Sequence, residues 1–436
     1  MRKLKLFATA IAIVTFASCS SDEVVSNVQT AQVAQQSIGF SPLTKGATRG
    51  VVTSAADLGN FAVTAYVNTA QALPTGETGY YFGSNSSETW NSPTTGSIYS
   101  YGTTPKQMKN TVIAYNAGGW DYANGADMMY WPYVKKADGS YESTSTLDFV
   151  AISPASIATA TTPTYAPSAS GPGATITNYT ISTDDVCYAS TTGKKQSDGA
   201  VPLNFKHLLS QVVFAAKQAS GFTAEIKEIK LGMVPNQGSW SSATSTWTAT
   251  GGGTTANYAG VSAPVTVTAS GDAATAQILT ASGSEILLMP QNAATLTYDP
   301  TTIGTGDPDD ATNPLQCVED RGTGNHWSEH ANKVASGKLF LMVSVRIKAA
   351  DGSYTLGDAT TYEDIYYCVK TNWQAGYKYT YTLLFGGVKG PDGNTTSSSD
   401  IGGGTYNDGE KVFTPTPITF TATVDSWTDA NSQVAL

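Results

Sequence analysis

The chain has 436 residues, long enough for two or more domains that each bury a core, and its formal net charge is −10. That acidic balance, with no basic stripe, excludes a nucleic-acid partner, because holding phosphates needs a basic face. Only 13% of residues are charged, while 23 are Tyr and 42 are Gly. This is a poor composition for a cytosolic enzyme and a good one for strands joined by turns, since β-branched and aromatic side chains pack well on a pleated surface.

The first residues set a compartment. Arg2, Lys3 and Lys5 form a basic start, and Leu6 to Ala17 form an apolar run. That run is short of the roughly 20 residues a spanning helix needs. Phe16-Ala17-Ser18-Cys19 follows, with small residues just before a cysteine. It has the form of a lipobox, with Phe16 where Leu is usual. Residues 1–18 are accordingly read as a lipoprotein signal peptide, and Cys19 as the lipidated first residue of a protein that is anchored to a membrane without spanning it. Cys187, Cys317 and Cys368 then remain. An odd count gives no full disulfide framework, and which pair would join in an oxidising compartment stays open. No two of the cysteines are close enough in sequence for a zinc knuckle.

Residues 19–49 read as a tether followed by a short strand. Ser20 to Ser37 are polar and low in complexity, Ile38-Gly39-Phe40 is apolar, and Lys45 to Gly50 is a small-residue stretch with one Arg, Arg49, of a kind that is easily nicked. Phe61 to Val67 alternates with period two, as a half-buried strand does. Tyr130-Trp131-Pro132 is an aromatic cluster at a strand end, and Leu147 to Ser153 is an apolar run stopped by Pro154. The Thr-, Ser-, Pro- and Gly-rich stretch Ala158 to Thr175 predicts a loop, and Val186 to Ala189 a short strand.

The polar break Lys194 to Gly199 predicts a boundary between a region 50–200 and a region 201–436. Beyond it, Phe205 to Leu209 fits a single helical turn, and the following residues to Ala216 a strand. Further strands are predicted at Ile226–Leu231, Val265–Val267, Glu285–Pro290, Leu339–Ile347 and Tyr377–Phe385. Ala-Asp-Gly-Ser-Tyr occurs at 137–141 and again at 350–354. Asp-Gly between strand-like runs signals a hairpin, because Gly accepts the positive φ of the turn. Many short strands with regular turn signals predict β-sandwiches.

Candidate chemistry is sparse. His326-Trp327-Ser328-Glu329-His330 spells H-x-x-E-H, a pattern that binds zinc only when both histidines share one helical face. Gly322, Gly324 and Asn325 precede it and a strand follows closely, so a solvated loop is the simpler account. His207, beside an apolar stretch, reads as a hydrogen-bonded structural residue. Asp307, Asp309 and Asp310 lack the spaced ligands and terminal Glu of a calcium loop. Gly251–Gly253 and Gly402–Gly404 lack the Lys-Ser/Thr of a phosphate loop. The residues point to no catalytic set, no metal and no cofactor. A paired-carboxylate glycosidase stays open, because 34 acidic residues always offer pairs.

With these segments in order, the chain resembles the fimbrillin family of Bacteroidales, the subunits of type V pili and their lipoprotein relatives. The resemblance rests on Cys19, Ile38-Gly39-Phe40, Thr48-Arg49-Gly50, Tyr130-Trp131-Pro132 with Leu147 to Pro154, Phe205 to Ser210, Trp373 to Tyr381, and Ile418 to Trp427. It implies an all-β chain of two tandem transthyretin-like β-sandwiches and export as a lipoprotein to the outer membrane surface. It implies an arginine-specific cut between Arg49 and Gly50 that removes the N-terminal strand. A strand from a neighbouring pilus subunit then fills the groove. The segment Ile38 to Leu43 would be the strand lost. Ile418 to Val424 is either a donor strand or part of the second sandwich; in the latter case the chain accepts a strand without giving one. The competing expectation is a non-polymerising surface lipoprotein that binds a glycan or a host protein.

Overall fold

A computed structural model of the chain describes residues 38–43, 58–69, 94–101, 106–116, 119–132, 134–135, 141–142, 145–166, 171–249, 255–271, 273–281, 284–290, 340–368, 373–385 and 419–426. Their regular structure is almost wholly β, with three short 3-10 turns. No helix among them is long and apolar enough to cross a membrane.

The first half is built on a six-stranded sheet. Its order is Lys206–His207, Cys187–Lys194, Thr146–Ser153, Asn60–Thr69, Thr111–Asn116 and Gly119–Tyr122. All neighbours run antiparallel. Asn60–Thr69 lies near the middle, and residues 61–67 are buried without interruption. This corrects the half-buried expectation. Phe61, Val63, Ala65 and Val67 face one apolar cluster together with Leu147, Phe149 and Ala151. On the opposite face, Tyr66, Val150 and Ile152 join a second cluster with Ile176, Leu208, Leu209, Trp240 and Leu287. A sheet covered on both sides needs apolar residues at both parities of the strand. Thr146–Ser153 is the same kind of strand, buried from Leu147 onward and ending before Pro154.

That second cluster is covered by a four-stranded sheet of Thr161–Ala166, Gly171–Thr180, Gln237–Ser241 and Thr246–Ala249. It takes two strands from before residue 200 and two from after it. The loop expected over 158–175 is therefore corrected to a 3-10 turn, Ala155–Ala160, and a hairpin in which Thr161 pairs with Ile176 and Thr164 with Gly173. The physical reason is the Thr content. Threonine favours a pleated surface, and Ala174 and Ile176 supply buried apolar contacts at period two.

The second half is a sandwich of a five-stranded and a six-stranded sheet. One has Gln277–Ile278, Ser210–Gln218, Tyr377–Phe385 and Thr419–Ser426 in order, with Ile286–Leu288 also on Ser210–Gln218. The other runs Thr255–Val261, Phe222–Pro235, Phe340–Ala349 and Tyr354–Leu356. Val265–Thr266 and Glu363–Cys368 pair with its two central strands. Between them lies one apolar cluster holding Phe214, Ile226, Ile229, Leu231, Leu341, Val343, Val345, Tyr381 and Phe385. Leu341, Val343, Val345 and Ile347, alternate residues of the strand predicted at Leu339–Ile347, thus face the core.

The helical turn expected at Phe205 to Leu209 is corrected as well. Lys206–His207 is a strand, with His207 opposite Cys187 and Lys206 opposite Tyr188. Cross-strand pairing satisfies those backbone groups better than a lone helical turn, which leaves most of its own unpaired. The two Asp-Gly signals do mark hairpins. Val134–Lys135 pairs with Tyr141–Glu142, and Phe340–Ala349 with Tyr354–Leu356. In the second, Gly352 takes φ 85° and its N–H donates to the Ala349 carbonyl at 2.9 Å.

Candidate strand-acceptor site

The strand Phe40–Leu43 belongs to none of these four sheets. It lies parallel to Val201–Asn204 in a two-stranded sheet, Phe40 opposite Val201 and Leu43 opposite Asn204. Parallel neighbours need a long crossover between them, and here the crossover is the whole first half of the chain. The polar stretch before residue 201 therefore leads into a strand that receives the early segment, a pairing that local pattern does not announce.

The early segment is part of the core it lies on. Ile38 is fully buried and Phe40 is 7% exposed, whereas Gly39 and Ser41 between them face outward. Phe40 meets three rings edge-on: Phe61 at 5.9 Å, Phe149 at 6.0 Å and Tyr122 at 6.3 Å between centroids. That is the favoured geometry for aromatic pairs. Backbone bonds fix the register. Ile38 donates its N–H to the Met129 carbonyl, and Val201 donates to the Gly39 carbonyl, both at 2.8 Å. The Tyr122 hydroxyl donates to the Ile38 carbonyl at 3.1 Å. Burial pushes the Tyr122 hydroxyl far above its ordinary pKa, so it remains a neutral donor.

Together these contacts define an apolar slot lined by Phe61, Tyr122, Phe149, Met129 and Val201, with a row of strand hydrogen-bonding groups along one side. Fully burying a Phe or Ile side chain is worth about 1.5–3 kcal/mol each. A few such anchors plus main-chain bonds are what strand addition to a sheet uses.

At the other end, Thr419–Ser426 pairs antiparallel with Tyr377–Phe385 over its full length, Thr419 opposite Leu384 and Ser426 opposite Tyr377. Among the described residues it is the last strand in its sheet's order and has a partner on one side. A strand at the edge of a sheet presents a row of N–H and C=O groups on its outer side. Of the two expectations for this segment, the structure has it in the sheet of the second half.

Cys19, Arg49 and Gly50 lie outside the described residues, as do His326, Glu329, His330, Asp307, Asp309, Asp310 and Cys317. Cys368 ends the strand Glu363–Cys368. Cys187 is a buried free thiol. Trp131 and Trp373 are core residues, each at most 2% exposed. Sequence reasoning missed the ring cage around Phe40 and the receiving strand Val201–Asn204. It also missed a cluster of Asp185, Cys187 and His207 whose ligand atoms all lie within 4.8 Å of one another. The alternation in Phe61 to Val67 was a signal for the cage, but nothing in spacing alone links residue 40 to residue 201.

A family model described as fimbrillin-like matches residues 83–403, and the chain belongs to that family. Its members are structural proteins, and this chain is not an enzyme. Among solved structures, a fimbrial protein from Bacteroides vulgatus shares 16% identity, covering 90% of this chain and 99% of its own, with a TM-score of 0.47. A fimbrilin from Porphyromonas gingivalis shares 10% identity, covering 91% of this chain and 98% of its own, with a TM-score of 0.35. No curated protein matches the chain.

Proposed function

We propose that the chain is a structural subunit of a type V-like fimbria that serves cell adhesion. It is exported as a lipoprotein through Cys19, cut between Arg49 and Gly50, and assembled by addition of a strand from a neighbouring subunit. The signal peptide is 1–18, the removable part 19–49, and the two β-sandwich regions are 50–200 and 201–436. Its partners are other pilus subunits, the outer membrane through the lipid before processing, and a receptor on another cell surface.

One observation carries this reading: Ile38 and Phe40, upstream of Arg49, are core residues of the first half. A cut after Arg49 leaves that segment held only by non-covalent contacts over a few residues. Its departure opens an apolar slot with unpaired strand groups, a template for a strand of similar pattern. Because giver and receiver are different surfaces, repetition runs head to tail and yields a filament.

A second reading has its own support. Thr419–Ser426 is already paired with Tyr377–Phe385. A chain that keeps this pairing accepts a strand and gives none, as a tip or accessory subunit does.

The test uses the full precursor lacking its signal peptide, treated with an arginine-specific protease. The new N-terminus is sequenced and the product examined for SDS-resistant ladders. A start at Gly50 with ladders supports the polymerising subunit. A start at Gly50 without ladders supports the tip or accessory role. Absence of cleavage near Arg49 overturns the processing scheme and leaves a surface lipoprotein that binds a glycan or host protein without polymerising.

A further inference from the structure

We infer that Asp185, Cys187 and His207 form a binding site for a divalent transition-metal ion, zinc in the first place, at the seam where the chain passes from one apolar core to the next. The strand geometry brings the three together. Asp185 lies two residues before Cys187, which opens the strand Cys187–Lys194, and both side chains reach His207. The Leu208 N–H donates to the Val186 carbonyl at 2.8 Å, which makes 186 and 208 the hydrogen-bonded pair. Cys187 and His207 then occupy the adjacent non-hydrogen-bonded position, where facing side chains come closest.

The donor atoms converge. His207 Nδ1 stands 2.7 Å from Asp185 Oδ2 and 3.6 Å from Cys187 Sγ. Ligands bonded to tetrahedral zinc at about 2.0–2.3 Å stand about 3.3–3.7 Å apart. The sulfur–nitrogen spacing already fits, and the oxygen–nitrogen spacing opens by about half an ångström. A thiolate, an imidazole and a carboxylate form a set that suits zinc, whereas calcium and magnesium take oxygen ligands. The Asp185 and Cys187 side chains are almost fully buried, and His207 is 14% exposed, on the side from which an ion and a fourth ligand, water, enter.

Zinc binds the sulfur as a thiolate, by direct coordination. The thiol gives its proton to solvent, and His207 loses to solvent the Nδ1 hydrogen that it shares with Asp185 while Nε2 carries one. The sulfur, Nδ1 and the carboxylate then bind the ion, so the Nδ1–Asp185 hydrogen bond is replaced by two bonds to the metal. No electron changes hands. The ion pins Cys187–Lys194 to Lys206–His207, immediately before Leu208 and Leu209 enter the cluster shared by both halves.

The experiment is titration of the chelator-treated full-length chain with zinc chloride, read by metal content after dialysis and by thermal unfolding. The expected result is one retained ion per chain and a higher Tm with zinc. His207→Gln and Asp185→Asn each weaken binding at least tenfold, and an H326Q/H330Q double variant keeps it. Cobalt(II) provides a second readout that does not depend on altering the site. In a chain with Cys19, Cys317 and Cys368 replaced by Ser, Cys187 is the sole thiol, and a sulfur-to-cobalt charge-transfer band must appear. Absence of that band overturns the proposal, as does zinc retention undiminished in both H207Q and D185N.

Discussion

Phe40 and Phe149 meet edge to face, ring centroids 6.0 Å apart and planes at 84°, and this contact ties the segment before Arg49 to a central strand of the first sheet. Phe149 also meets Trp131 edge-on at 6.0 Å. The early segment is thus packed into an existing aromatic cluster and is not draped over its surface.

Phe40→Ala follows directly. Removing a buried Phe side chain costs about 3–5 kcal/mol in a core that cannot collapse. Here the loss is capped by the docking energy of the segment, which can detach while the rest stays folded. The expected outcome is faster hydrogen exchange at the Val201 amide, which donates to Gly39, in the uncut precursor. Ser41→Ala, at an exposed position, leaves that exchange unchanged. Equal exchange in both variants would show that Phe40 does not hold the segment.

Much of the strand content was legible because period two is local. Phe61 to Val67, Leu339 to Ile347 and Tyr377 to Phe385 needed only alternation and β-branched or aromatic residues. The hairpin at Gly352 needed only Asp-Gly. The 158–175 hairpin was missed because its Thr, Ser and Pro residues fit a loop as well as a strand covering another sheet. The helical turn at Phe205 to Leu209 was misread because His207 owes its conformation to Cys187, twenty residues away in sequence. The candidate site was half legible: the apolar Ile38-Gly39-Phe40 stood out, but its parallel partner Val201–Asn204 is set by long-range packing.

Asp148 is a polar tie inside the first sheet, 1% exposed. Its carboxylate accepts from Asn68 Nδ2 at 2.9 Å and from the Gly193 N–H at 2.7 Å. Three strands therefore share one side chain. Asp148→Ala takes the acceptor from both donors. Asn68 is half-buried and Gly193 exposed, so water satisfies part of each and the cost stays below the about 1–3 kcal/mol of a fully buried unpaired group. Asp148→Asn keeps an oxygen for one donor and loses the other, so its midpoint in urea should lie between wild type and Asp148→Ala. Indistinguishable midpoints for all three would refute the tie.

Gly260 is demanded by shape. A Cβ at this position would overlap the ring of Phe214, a buried residue that stacks on Tyr381 at 6.0 Å. Gly260→Ala forces that ring to move, and overpacking of this kind costs about 1–3 kcal/mol. Gly39→Ala meets nothing nearer than Ala200 Cβ at 3.9 Å and should be tolerated. Phe214→Leu in the Gly260→Ala background should recover part of the loss, visible as non-additivity in a double-mutant cycle. Strict additivity would mean the ring is not the obstacle.

Glu225 supplies a pH-dependent contact on the outside of the sandwich. Its carboxylate accepts from the Tyr362 hydroxyl and from Arg346 Nη2 at 2.9 Å, and these hold it below its ordinary value of 4.5. A carboxyl with a depressed folded-state pKa binds fewer protons folded than unfolded. Its contribution is complete above about pH 4.5 and disappears as pH falls through the lower folded-state value. Glu225→Gln should therefore lower Tm near neutral pH and converge with wild type in acid. A gap that persists unchanged in acid would assign the effect to shape and not to charge.

The two halves are joined by more than chain continuity. Tyr188 and Trp240 pack with ring centroids 4.9 Å apart, and Trp247 donates its indole N–H to the Leu208 carbonyl at 2.7 Å. Gly171–Thr180 pairs with Gln237–Ser241 across the same seam. Buried apolar contacts and ladder bonds both span the junction, so neither half can lose its seam face without exposing the other. The wild-type chain should unfold in urea with coincident transitions by Trp fluorescence and by far-ultraviolet circular dichroism. Trp240→Ala removes a large side chain that is 2% exposed, at about 3–5 kcal/mol. That loss falls on the seam alone, so it should split the transition into two steps. A wild-type chain that already unfolds in two steps would show that the seam does not couple the halves.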